Sequence, residues 1–186
     1  SVTDNLTLAA GAPDNFADAA EFGLAQLGAL EAGKVTIVDN DYIINGRAAD
    51  SAGFEAERAK AMSPPAGFSA VNVAIEPPVV PDYLFLAELS DGAVKLSGFA
   101  PTSEARQSAE DAAEARFPDA TIVNELQIAA GAPEQYDAAV GYGLDLLTRF
   151  DNGEARLTGS ELSAIGVAKT VSDFTAATAQ ADAAPN

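Results

Sequence analysis

Residues 6 to 56 recur as residues 126 to 176 at a constant offset of 120, with no insertion or deletion. Ala9-Ala10-Gly11-Ala12-Pro13 returns as Ala129-Ala130-Gly131-Ala132-Pro133, and Gly23, Leu24, Leu27, Gly33, Gly46, Ala48 and Phe54 return as Gly143, Leu144, Leu147, Gly153, Gly166, Ala168 and Phe174. A repeat of this length means that one supersecondary unit is used twice, so the chain is read as modules before any site is sought. Extended to both ends, the register places Ser1 on the equivalent of Thr121 and Asn186 on that of Ala66. The expectation is a piece of a longer array.

Within each copy the hydrophobic period changes. Phe16, Ala19, Ala20, Gly23, Leu24, Leu27 and Leu30 keep helical spacing, which predicts an amphipathic helix stopped at Gly33. Its copy carries Tyr136, Ala139, Val140, Gly143, Leu144, Leu147 and Phe150 and is expected to stop at Asp151-Asn152-Gly153. The glycine on the core-facing stripe of both helices costs roughly 1 kcal/mol relative to alanine, so its recurrence predicts close packing on a sheet. Alternation over Lys34 to Val38 and Tyr42 to Arg47 around Asp39-Asn40-Asp41 predicts a hairpin, followed by a helix over Ser51 to Met62 and a strand over Ala70 to Ile75. Prolines 77, 78 and 81 make a stiff joint.

A different unit follows. Tyr83 to Leu89 and Ala93 to Phe99 alternate across Ser90-Asp91-Gly92, whose Asp-Gly pair suits a tight turn. The next helix, Thr102 to Phe117, puts Ala105, Ala109, Ala112, Ala113 and Phe117 on one face, with Thr102 as N-cap and Glu104 in the first turn. Thr121 to Ile128 reads as a strand leading into the second Ala-Gly-Ala-Pro corner. The expected organisation is therefore residues 1–12 as the closing strand of a preceding repeat, 13–81 and 82–132 as two units forming one six-stranded domain, and 133–186 as a truncated third unit.

Composition narrows the chemistry. The 186 residues contain neither cysteine nor histidine, which excludes disulfides, thiolate chemistry, histidine metal sites and Ser-His or Cys-His nucleophiles. The net charge of −18 repels nucleic acid and bare anionic lipid. No apolar run approaches the roughly 20 residues of a membrane-spanning helix. Asp39, Asn40 and Asp41 offer oxygens to a cation but read as turn chemistry. Asp151-Asn152-Gly153-Glu154 resembles the start of a calcium loop, yet its copy Glu31-Ala32-Gly33-Lys34 reads as a helix stop. Glu110 and Glu114, four apart on a polar helix face, read as solvated. No metal, cofactor or catalytic residue is expected. Phe22 and Tyr142 occupy equivalent positions off the core stripe, and Tyr142 with Leu146 forms an apolar patch expected to meet either the neighbouring unit or another protein.

Asp91-Gly92-Ala93-Val94-Lys95-Leu96-Ser97-Gly98, a helix and Val123-Asn124-Glu125-Leu126 resemble the BON domain, a small module of bacterial envelope proteins. Its alternation with Gly-Ala-Pro helices is similar to the repeats that precede the peptidoglycan-binding domain in some outer-membrane-protein-A family proteins. The resemblance implies an α/β fold of helix-strand-strand-helix-strand units, a mixed sheet with helices packed on it, and an address in the periplasm or outer membrane of a Gram-negative bacterium. With the usual nucleophile, base and metal constellations missing, the expected function is a non-catalytic structural or interaction module whose partners are envelope proteins or neighbouring repeats. The alternative is a module binding lipid, envelope glycan or peptidoglycan-associated components, assisted by a divalent cation.

Overall fold

The computed structural model describes residues 3–181, and the chain divides between Pro77 and Pro78 into two compact α/β units. The division falls inside the proline joint.

In the first unit, α1 (Phe16–Leu27) leads to the antiparallel pair β1 (Leu30–Val38) and β2 (Asp41–Ala48), then α2 (Phe54–Ala61) and β3 (Ser69–Glu76). The sheet order is β1-β2-β3, with β3 parallel to β2 because α2 carries the chain across. Asn40, in the β1–β2 turn, staples the return: its Nδ2 donates to the Gly67 carbonyl at 2.7 Å and its own carbonyl accepts from the Ser69 amide at 2.9 Å. The glycine on the α1 stripe meets the sheet directly, since a Cβ at Gly23 would lie 2.8 Å from Val35 Cγ1.

The second unit opens with the hairpin β4 (Leu84–Ser90) and β5 (Ala93–Ala100), closed by Asp91 and Gly92 at φ 49° and 75°. Helix α3 (Ser103–Arg116) crosses back to β6 (Thr121–Asn124) and β7 (Gln127–Ile128), both parallel to β5. The repeated elements follow as α4 (Tyr136–Leu147), β8 (Phe150–Thr158), β9 (Glu161–Ala168) and α5 (Val171–Ala181). The first three keep the boundaries of α1, β1 and β2 at the offset of 120. One sheet results, in the order β6-β5-β4-β8-β9 with β7 beside β5. Its helix-facing side buries Phe85, Ala87, Val94, Leu96, Ala155 and Leu157 beneath α3 and α4. The fold is thus the expected mixed α/β class, with helices packed on mixed sheets.

Four expectations are corrected. Residues 13–132 do not form one six-stranded domain: β4 pairs antiparallel with β8 of the second copy, so the six-stranded sheet lies wholly after Pro78. Alternation in β4 specifies a neighbour without saying which copy supplies it. Residues 3–12 form no strand, and Ser1 and Val2 lie outside the described residues, as do residues 182–186 of the expected third unit. Gly33 and Gly153 are not helix stops. Both helices end earlier, at Leu27 and Leu147, and Gly33 pairs with Gly46 across β1–β2 as Gly153 pairs with Gly166 across β8–β9. A bulge precedes each pair, and the Leu30 or Phe150 side chain lies over it, so that a Cβ at Gly46 or Gly166 would come within 2.7 or 2.6 Å of that side chain. Finally, the strand expected over Thr121 to Ile128 is interrupted at Glu125-Leu126, where Asn124 Oδ1 accepts from the Leu126 amide at 3.1 Å.

Candidate functional site

Three residues were singled out as a partner surface, and the structure disperses them. Leu146 is buried in the second unit. Tyr142 is half-buried, and its hydroxyl donates to the Gln180 carbonyl of α5. Phe22, in the first unit, packs edge-on against Tyr42 with ring centroids 5.5 Å apart. The apolar patch is therefore internal packing: α5 returns onto α4 in the second unit, and Phe22 of α1 lies against Tyr42 of β2 in the first.

The acidic candidates also resolve into structure. Asp39 adopts φ 53° in the β1–β2 turn, and Asp151 to Glu154 run within β8. Glu110 Oε2 accepts from Asn124 Nδ2 at 3.0 Å, tying α3 to β6. Among the described residues no cluster of three or more acidic side chains is placed to hold a metal ion. Lys95 is engaged by Glu125 at 2.8 Å, which raises its pKa through that hydrogen bond and charge. An apolar crevice of about 160 Å³ beside α4, lined by Pro133, Ala139, Leu157 and Leu162 among others, is smaller than the roughly 300–1,000 Å³ of ordinary small-molecule sites.

What stands out is a difference between the two copies of the repeat. In the second unit, β8 is covered on one side by β4, and α4 is covered by α3. Leu144 is 0% exposed and Tyr136 3% exposed, while Leu126 and Ile128 are buried. At the equivalent positions of the first unit, Leu24 is 69% exposed, Phe16 is 42% exposed, and Leu6 and Leu8 stand almost wholly in solvent. Among the described residues β1 has a strand neighbour on one side only. The first unit therefore leaves open a sheet edge and an apolar helix flank whose equivalents the second unit keeps inside.

The polar groups differ in step. Tyr136 donates its hydroxyl to the Phe99 carbonyl at 2.9 Å, and Asp145 accepts from Arg116 Nε at 2.6 Å; both bonds hold the β4–β5–α3 segment onto α4. The first unit has Phe16 and Ala25 at these positions, which offer neither bond. This paired loss was the sequence signal for the face, visible once the two copies are aligned, but its meaning depends on which residues α3 and β5 touch. Burial raises the phenol pKa values of Tyr42, Tyr83 and Tyr136, so these groups are neutral packing elements across the ordinary pH range.

Compared with protein-family models, curated proteins and solved structures, the chain finds no match.

Proposed function

We propose that the chain is a non-catalytic structural or interaction module facing the periplasm in a Gram-negative outer-membrane or envelope protein. The observation that carries the structural role is the repeat itself. One α-β-β-α unit is built twice, its first three elements on the same boundaries, once with its sheet edge and helix flank covered and once with them open. Such construction supplies surfaces and spacing, which is what repeat architectures provide. Support for the envelope address comes from the resemblance: the segment that carries it folds in sequence as hairpin, alanine-faced helix and a strand parallel to β5.

The address is tested by fractionating bacteria that express the protein in its natural form with an epitope in residues 78–186. The epitope is expected in the outer-membrane or periplasmic fraction, protected from external protease until the outer membrane is permeabilised. Recovery in the cytosol overturns it. The non-catalytic part is tested by turnover against envelope glycan and phospholipid, where activity abolished by a single carboxylate substitution would overturn it. Saturable co-sedimentation with peptidoglycan or with lipid vesicles, strengthened by calcium, would favour the ligand-binding alternative. The net charge of −18 works against that alternative for anionic lipid.

A further inference from the structure

We infer that the open face of the first unit is a self-association surface, on which β1 and α1 of a second copy of this chain dock about a two-fold axis.

The sheet edge comes first. The β1–β2 ladder closes on Val38 and Asp41 across a two-residue turn, so the alternation of an antiparallel pair turns the amides of Gly33, Val35 and Ile37 away from β2. Their equivalents in β8, Gly153, Ala155 and Leu157, face Leu89, Ala87 and Phe85 of antiparallel β4. An antiparallel neighbour is the one that a two-fold axis generates when a strand meets its own copy. Val35-Thr36-Ile37-Val38 is a run of β-branched residues without charge or proline, so this stretch lacks the devices by which edge strands repel one another. Pairing of β1 with its copy would join two three-stranded sheets into six strands.

The helix flank points the same way. In the second unit the helix lying against α4 presents small residues, with Ala105, Ala109 and Ala112 lining the crevice opposite Tyr136 and Val140. On α1, the stripe that holds Phe16 and Leu24 also holds Ala17 and Ala20, so one helix carries both the large residues and the small ones that receive them. Loss of the tyrosine hydroxyl and of the aspartate argues against a second β4–β5–α3 segment as occupant, because both polar links to such a segment are missing. An apolar, self-complementary surface remains.

This deepens the interaction reading and is independent of the envelope address, so a monomeric chain overturns the dimer while fractionation still decides the address. Sedimentation velocity of the full chain, from low micromolar to submillimolar, is expected to show a monomer–dimer equilibrium that tightens with added salt as the like charges are screened. Leu24→Asp, at an exposed position, and Val35→Pro, which removes an outward amide, are each expected to weaken dimerisation at least tenfold, with the circular dichroism of the folded chain retained. If Val35→Pro unfolds the unit, Leu24→Asp decides alone. A wild-type chain that stays monomeric throughout, or a dimer indifferent to Leu24→Asp, overturns the proposal and leaves the face to unit two or to a different protein.

Discussion

Gln26 is a buried position at which the two copies differ in chemistry. It is buried at the position of Leu146, and neither its Nε2 nor its Oε1 has a hydrogen-bond partner. A buried amide left unsatisfied costs about 1–3 kcal/mol. Gln26→Leu, which installs the residue used by the other copy, is therefore expected to stabilise the first unit by about 1–2 kcal/mol, read as a higher urea midpoint for that unit. The buried phenols give a second prediction at this scale. Tyr42, Tyr83 and Tyr136 are raised above the ordinary value of 10.0 by desolvation, so the folded chain holds protons that the unfolded chain releases. Stability is fully present below pH 10 and falls as pH rises above it. Absorbance at 295 nm should accordingly show these phenolates forming together with the loss of circular dichroism, and smooth titration near pH 10 with the fold intact would contradict this. Nothing in the sequence marks Gln26 as buried, since a glutamine one place beyond an apolar stripe ordinarily meets water.

Elements were more legible than residues. Thr102 is the N-cap expected of it, extended at φ −145° and ψ 167°, with Oγ1 accepting from the Ala105 amide at 3.1 Å. Thr102→Ala should cost the second unit about 1 kcal/mol, measurable by chemical denaturation. The Asp91-Gly92 turn and the alanine stripe of α3 were equally visible, because capping, turn formation and amphipathicity are local. The ends of α1 and α4 were not. Periodicity continues through Leu30 and Phe150, but these residues start strands and fold over a glycine pair. A glycine needed for the close approach of two strands looks, in sequence, the same as a glycine that ends a helix.

Across the whole molecule, the two units should respond to mutation independently. Leu144→Ala empties a fully buried site and is expected to destabilise the second unit by about 3 kcal/mol while leaving hydrogen exchange in the first unit unchanged. Leu24→Ala, at the equivalent but exposed position, should shift the first unit by less than about 0.5 kcal/mol at concentrations where the chain is monomeric. Equal costs at the two positions would mean that the flank of α1 is covered within the chain. The patch at Phe22, Tyr142 and Leu146, expected to meet either the neighbouring unit or another protein, is engaged by contacts within each unit. A helix wheel separates a core stripe from its flanks but cannot say which flank a later helix will cover.

The repeat, the helices and hairpins within it, the mixed α/β class and the absence of histidine and cysteine chemistry were all determined by the sequence alone, because each depends on local spacing or on composition. Tertiary structure decided which copy captures the β4–β5–α3 segment. That segment follows the first copy and precedes the second, and its alternating strand is compatible with an edge on either. The choice rests on long-range bonds, Tyr136 to Phe99 and Asp145 to Arg116, available on one side only. Equivalent sequences consequently hold unequal surfaces: Leu144 lies in a core, and Leu24 remains open.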